Sequence, residues 1–314
     1  MHFALPVTKN EVVPCSTVFS HLLAEHSHGR GILGFLDLKD LARCRATCLE
    51  IKEQVEKFPW NKYCKIQIWR QNFPNARTID LSFQKIKNSD LIYLRGCTTV
   101  KMNFCWEITD DGFQHLEHVE TLMLNGCTQI TDAAFEHMKN LKVLEIDNCS
   151  NITDRAFKHL KGLQKLSMKH CSQNTITDEG IRQLVELREL SMNECYQYTI
   201  TDKAFETLKK LRKLSVSGCT QLTDNAFRRM KYLRSLDISH CRQSKLTDKA
   251  FSYLENLQEL RMSYCDQPEI TNEGFRHLKN LRTLVMKYCN IVTVTKDVLA
   301  GLKHVPHLKH TIPI

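Results

Sequence analysis

The sequence lacks any long apolar run. No stretch of its 314 residues approaches the roughly 20 apolar residues that a membrane-spanning helix requires. The N-terminus also lacks a basic segment followed by an apolar stretch, which would mark a secretory signal. These absences predict a soluble cytoplasmic protein without a membrane partner, with the nucleus as the alternative compartment.

Motifs for catalysis and cofactor binding are missing as well. The chain contains no Walker loop, no H-E-x-x-H, no G-x-S-x-G and no G-x-G-x-x-G sequence. Cys44 and Cys48 could be drawn into a zinc site with nearby histidines, but paired C-x-x-C spacing is absent and helix packing explains both residues. We therefore predict that the chain is not an enzyme and binds no cofactor or metal.

Cysteine, in contrast, is plentiful and regularly placed. Intervals of 22 or 24 residues separate the cysteines at 105, 127, 149, 171, 195, 219, 241, 265 and 289. An odd-numbered series without a secretory signal argues for reduced, buried thiols rather than disulfides. A fixed period of this size indicates a solenoid, in which each coil buries its apolar face only against its neighbours.

Every period carries the same pattern. The unit is L-x-x-L-x-L-x-x-C, a loop, Ile or Leu before Thr-Asp, and then two further apolar positions, as in residues 119–138. The L-x-L alternation predicts a short strand with two residues inward and one outward. The Thr-Asp pair predicts a helix start, because the hydroxyl can cap free amides and the carboxylate favours the positive end of the helix dipole.

Strand, loop and helix at this period resemble the leucine-rich repeat, in the cysteine-containing form of F-box/leucine-rich-repeat proteins. The resemblance implies an α/β solenoid, a horseshoe of about ten coils, over residues 65–302. Residues 1–17 are expected to be a flexible lead-in. Residues 303–314 are expected to form a C-terminal cap or tail.

Residues 18–64 have a different rhythm and carry a second resemblance. The segment from Phe35 to Arg43, followed by Cys44, Cys48 and Trp60, is similar to the second half of an F-box. In that family the motif docks on a Skp-type adaptor and thereby on a cullin ubiquitin ligase. The resemblance implies that the adaptor-binding residues are Ile32, Leu33, Phe35, Leu36, Leu41 and Cys48.

Two functions follow from these resemblances. The first is a non-catalytic substrate receptor of a ubiquitin ligase, in which the solenoid's concave strand face holds a protein substrate. The alternative is an interaction scaffold or inhibitor whose N-terminal helical segment only caps the solenoid. The net charge of +9 does not favour a nucleic-acid partner, because many Lys and Arg residues fall at positions expected on the outer, solvated surface.

The outward strand position differs from coil to coil while the framework is constant. It is occupied in turn by Lys101, Met123, Glu145, Ser167, Ser191, Ser215, Asp237, Arg261 and Val285. This contrast is expected of a binding surface and is equally consistent with exposed positions under little constraint. Five coils also carry two extra residues after the cysteine, and exposed aromatic residues there are typical of interfaces. The predicted partner-binding residues are Glu189, Tyr196, Tyr198, Asp237, Arg261, Tyr264 and Tyr288.

Overall fold

The computed structural model describes residues 65–241 and 245–289 and the backbone of residues 307–311. Contacts divide the chain into two compact units, residues 1–79 and residues 80–314. The predicted lead-in, the F-box-like segment and the possible zinc ligands lie outside the described residues. So do the adaptor-binding residues, which are Ile32, Leu33, Phe35, Leu36, Leu41 and Cys48.

The described part of the first unit contains one α-helix, α1 (Ile66–Asn72). Ile66 and Trp69 form its buried face, and the amide of Phe73 donates to the carbonyl of Trp69 at 2.9 Å where the helix ends. The Arg70 guanidinium lies 4.6 Å from the Trp69 ring centre and donates to the carbonyls of Pro74 and Ala76. A cation over the indole and two carbonyl bonds thus fix the turn after the helix.

Short parallel strands run through the second unit in sequence order. A first strand, β1 (Thr78–Asp80), lies at the boundary between the two units. The others are β2 (Thr99–Lys101), β3 (Thr121–Met123), β4 (Val143–Glu145), β5 (Lys165–Ser167), β6 (Glu189–Ser191), β7 (Lys213–Ser215), β8 (Ser235–Asp237), β9 (Glu259–Arg261), β10 (Thr283–Lys287) and β11 (His307–Thr311). Equivalent residues pair, so Leu122 lies beside Leu144 and Leu144 beside Leu166.

This register stacks identical apolar positions into columns. The two leucine-type positions of each strand motif, the cysteine, and the aromatic or branched residue of each helix are buried throughout the described coils. In one coil these residues are Leu122, Leu124, Cys127 and Phe135, each at most 1% exposed. Side chains alternate between core and surface along the strand as predicted, because Leu122 and Leu124 are buried and Met123 between them is partly exposed. The predicted leucine-rich-repeat solenoid is confirmed as an open array.

Each coil returns through a short helix. The α-helical returns are α2 (Asp154–Phe157), α3 (Asp178–Arg182), α4 (Asp248–Ser252) and α5 (Asn272–Arg276). The 3₁₀ returns are Asn88–Leu94, Asp110–His115, Asp132–His137, Asp202–Phe205 and Asp224–Phe227. None of these described helices is long and apolar enough to cross a bilayer.

The Thr-Asp pair caps its own helix, as the sequence predicts, and also bonds to the next coil. The Thr177 hydroxyl accepts the amide of Glu179 at 3.1 Å, the expected N-cap. The Asp178 carboxylate, however, accepts both the amide and the hydroxyl of Thr201 in the next coil, at 2.6 and 2.8 Å. The same two bonds recur between the aspartate and threonine of neighbouring coils from Asp110 to Thr271. We call this series the Asp–Thr ladder.

The cysteines form a second ladder inside the sheet. All ten described cysteines are free and buried, as predicted. The thiols of the nine regularly spaced cysteines, from Cys105 to Cys289, also donate to a carbonyl of the preceding coil, as Cys127 does to Met102 at 3.0 Å and Cys195 does to Met168 at 3.0 Å. A small residue with a weak donor therefore fits this position, because it fills the core and bonds to a carbonyl of the neighbouring coil.

Candidate partner-binding surface

The outward residues of β2–β10 form a continuous polar face. The first and third residues of each strand are partly or fully exposed, because the central leucine-type residue points into the core. The prediction that Ser167 points outward is wrong, because this residue is only 4% exposed. Its hydroxyl donates to Asp147 at 2.6 Å, so it supports the face rather than contacting solvent.

Ion pairs between adjacent strands occupy part of this face. Lys213 lies 3.2 Å from Glu189, which makes this predicted partner-binding residue one half of a surface pair. Within β9, Arg261 lies 2.8 Å from Glu259 of the same strand. Such exposed pairs contribute at most about 1 kcal/mol, and they give the centre of the sheet a mixed charge.

A polar ladder follows directly after the strands. The Asn103 side-chain oxygen accepts the amide of Asn125 at 2.9 Å, and Asn125 accepts the amide of Asp147 at 2.8 Å. The predicted residue Asp237 bonds instead within its own coil, to the amide of Ser239 at 2.9 Å. Its carboxylate is therefore partly committed to holding the chain at the end of β8.

The residue before each of the nine regularly spaced cysteines, or before Gln84 in the first coil, has a left-handed backbone. Its φ lies between 55° and 78° in every case, whether the residue is glycine or not. The positions are Phe83, Phe104, Gly126, Asn148, His170, Glu194, Gly218, His240, Tyr264 and Tyr288. We call this column the rim. It borders the strand face at the carboxyl ends of the strands.

Aromatic side chains stack at the C-terminal end of the rim. The ring centres of His240 and Tyr264 are 4.6 Å apart, and those of Tyr264 and Tyr288 are 4.9 Å apart, with both pairs nearly parallel. Tyr288 is 60% exposed. The three rings form one flat ladder of apolar surface with polar atoms at its margin, a combination enriched at protein interfaces.

The rim changes character along the array. Phe83 and Phe104 stack at 4.9 Å in the first coils, His170 pairs with Glu194 at 3.3 Å in the middle, and the His240–Tyr264–Tyr288 stack closes the series. A left-handed conformation is uncommon for bulky residues and costs free energy. The stacking of neighbouring rings offsets part of this cost.

The sequence prediction named Tyr264 and Tyr288 and did not name the other stacked rings of the rim, His240, Phe83 and Phe104. The signal that could have found them is the column immediately before the cysteine position. Only the stacking of one coil on the next brings residues 24 apart, such as His240 and Tyr264, into ring contact.

The longer loops present two more tyrosines and conceal a glutamine. Tyr196 and Tyr198 are 55% and 84% exposed, as their predicted role requires. Between them Gln197 is only 1% exposed. The equivalent Gln173 donates to the carbonyls of Cys149 and Ile152 at 2.9 and 3.2 Å, whereas neither side-chain amide atom of Gln197 has a hydrogen-bond partner among the described residues. The side chain of Gln173 is therefore anchored by hydrogen bonds and that of Gln197 by burial alone.

The thiols beneath this surface are held in the protonated form. Burial raises the pKa of the Cys219 thiol to about 12 and that of Cys171 to about 11, so these sulfurs stay protonated and are poor nucleophiles near neutral pH. Among residues 65–241 and 245–289, no group of three His, Cys, Asp or Glu side chains could hold a metal ion.

Comparisons with known proteins agree with this geometry. The family model described as BspA type leucine rich repeat region matches in six copies, over residues 69–182, 106–232 and 174–304. This match supports the predicted repeats and does not reach the F-box-like residues 18–64. A search of curated protein sequences finds no match.

A solved structure shares the fold. The chain is 22% identical to a protein in the crystal structure of a TLR13–ssRNA13 complex, with a TM-score of 0.61, covering 73% of this chain and 34% of that one. It is 17% identical to a chain of the Toll–Spatzle complex of Drosophila, with a TM-score of 0.47 and coverage of 74% and 38%. The chain thus spans about a third of the length of these solved chains.

Proposed function

Since the chain belongs to the BspA-type leucine-rich-repeat family, we propose that it is a non-catalytic protein-interaction scaffold. Its partner contacts the strand face of β6–β10 and the adjoining end of the rim. The observation that carries this proposal is the His240–Tyr264–Tyr288 stack, held at the surface at a conformational cost. The exposed Tyr196 and Tyr198 extend the same aromatic surface toward the middle of the array.

Energetic considerations support this location. Aromatic residues bury a large area at low entropic cost and dominate many interfaces, whereas exposed ion pairs on the strand face contribute little. We therefore expect the tyrosines to supply most of the affinity. Glu189, Asp237 and Arg261 would set the orientation of the partner through charge.

The test compares capture by the wild type with capture by the variant Tyr198→Ala/Arg261→Ala/Tyr264→Ala. Each protein is immobilised at equal density, and bound cellular proteins are quantified by mass spectrometry. The matched control, Phe83→Ala/Trp106→Ala/Arg155→Ala, removes two exposed aromatics and one arginine from the other end of the array. The first variant should lose the proteins that the wild type and the control both retain. Identical capture by all three would place the binding site elsewhere.

A finer role as a substrate receptor of a ubiquitin ligase is favoured by one sequence observation. The F-box-like segment around Phe35, Leu36 and Leu41 directly precedes the repeats, and this order is typical of such receptors. In this hypothesis the N-terminal segment docks a Skp-type adaptor and the repeats hold the substrate.

Its test is a direct binding measurement with a purified Skp-type adaptor. The full chain should bind, and the variant Phe35→Asp/Leu36→Asp should not. If the full chain bound no more adaptor than that variant does, the ligase role would be excluded and the scaffold role would remain.

A further inference from the structure

A row of arginines lies at the opposite border of the strand face. Arg188, Arg212 and Arg234 occupy the residue immediately before β6, β7 and β8, and all three are exposed. The amide of Arg212 donates to the carbonyl of Arg188 at 2.8 Å, and the amide of Arg234 donates to that of Arg212 at 2.8 Å. Adjacent strands are about 4.8 Å apart, so the three side chains begin within about 10 Å of one another. We call these residues the arginine row.

The arginine row is not neutralised by the chain. Within the ranges that the structure describes, none of the three guanidinium groups has an ion-pair or hydrogen-bond partner. Nearby carboxylates are committed elsewhere, with Glu189 paired to Lys213 and Glu186 paired to Lys210. Like charges at paired positions of neighbouring strands repel each other, so the row costs stability unless an anion binds it.

A small cavity adjoins the row. It has a volume of about 260 Å³ and is lined by Arg212, Tyr232, Arg234, Asn256, Gln258 and Asn280. Asn256 and Asn280 donate to carbonyls of their preceding coils at 2.8 and 2.9 Å, which fixes the side-chain amides of two lining residues. Tyr232 is 52% exposed, and the Lys231 ammonium lies 4.9 Å from the centre of its ring. The cavity is large enough for one or two carboxylate side chains.

The charge pattern limits what kind of anion fits. Gln164 precedes the arginine row and Gln258 follows it in the same column, while Lys142 farther back is neutralised by Glu120 at 2.9 Å. The unneutralised stretch thus spans three adjacent strands, with one further exposed arginine of the column, Arg282, beyond Gln258. On the strand face the carboxylate of Asp237 would repel a long polyanion that continued across the sheet. A short acidic segment matches this pattern better than a nucleic-acid backbone, which needs an extended basic track.

We propose that the arginine row and its cavity bind a short Asp- or Glu-rich segment of a protein partner. This inference rests on the proposed protein-binding function and assigns that partner a second contact on the border opposite the rim. Guanidinium groups suit the task because they bind carboxylates in a bidentate manner and are weakly hydrated.

The test is a fluorescence-anisotropy titration of the full chain with a labelled octaglutamate peptide. The wild type should bind saturably, more weakly as salt rises from about 0.05 M to about 0.3 M, and should not bind octaglutamine. The variant Arg188→Gln/Arg212→Gln/Arg234→Gln should lose at least about tenfold in affinity.

The matched control is Lys139→Gln/Lys158→Gln/Lys161→Gln, which removes the same charge from exposed lysines of earlier coils. It should keep the wild-type affinity. Equal weakening by both triple variants, absence of saturable binding, or tighter binding of a single-stranded RNA octamer than of octaglutamate would each overturn the proposal. None of these results bears on capture through the rim, which the tyrosine variant tests separately.

Discussion

The buried thiols show how a single residue type can serve packing and bonding together. Cys219 is fully buried, and its sulfur donates to the carbonyl of Met192 at 3.2 Å. Alanine would fill less space and offer no donor. Desolvation also penalises the thiolate, so the fold retains each proton more strongly than the unfolded chain does.

We expect stability to fall as pH rises above the ordinary thiol pKa. Burial raises the pKa of Cys219 from 9.0 to about 12. The unfolded chain therefore loses this thiol proton first, and the contribution of the Cys219 thiol is complete below pH 9 and is lost as pH approaches 12. Its deprotonation in the unfolded chain should lower the free energy of unfolding by up to about 1.4 kcal/mol per pH unit in that range.

Urea titrations of the wild type and of Cys219→Ala between pH 8 and pH 11 measure this effect. The free energy of unfolding of the variant should fall less steeply with pH than that of the wild type. The difference should equal the contribution of one thiol, because the two proteins share all their other titrating groups. Parallel pH profiles would mean that the Cys219 thiol is not protected by burial.

At the level of elements, the short helices depend on their neighbours. The described returns are only four to seven residues long, as in Asp202–Phe205 and Asn88–Leu94, too short for independent helix stability. The Asp–Thr ladder compensates, because each aspartate binds the helix start of the following coil through two charge-assisted bonds.

Replacing Asp178 by Ala should destabilise the array by about 2–4 kcal/mol. The change removes both bonds to Thr201 and leaves its amide without an acceptor. Asp111→Ala is the matched control, because Asp111 is exposed and its carboxylate is not part of the ladder; it should stay within about 0.5 kcal/mol of the wild type. Chemical denaturation checks both, and equal effects would show that the ladder contributes nothing beyond surface charge.

The sequence predicts the strand, the helix start and the buried cysteine because each has a local signature. Period-2 alternation marks Leu122 and Leu124, and Thr before Asp marks the helix cap. The bonds from Asp178 to Thr201 and the ring contact of His240 with Tyr264 have no such signature, since they depend on the exact stacking of two coils. The inward turn of Gln197 was missed for the same reason, because glutamine in a loop suggests exposure.

For the whole molecule, the ends of the array are the least supported parts. Each coil of a solenoid contacts only its neighbours, so a terminal coil has one partner instead of two. At the C-terminal end β11 pairs in parallel with β10 over five residues, from Thr283 with His307 to Lys287 with Thr311. This strand completes the backbone bonding of β10.

Deleting residues 307–314 should therefore loosen β10 selectively. Hydrogen exchange measured by mass spectrometry should accelerate at Thr283–Lys287 and remain unchanged at Thr99–Lys101 in β2. Deleting only residues 312–314 is the control and should alter neither segment. A uniform change along the array would contradict nearest-neighbour support.

The nearest-neighbour bonding also has a mechanical consequence. The Asp–Thr and thiol–carbonyl bonds join residues 21 to 27 positions apart and reach no farther along the chain. Tension applied across the array would then load one interface at a time and peel coils from an end. Each coil of 22 or 24 residues would release roughly 80 Å of extended chain, so a pulling trace should be a staircase rather than a single rupture.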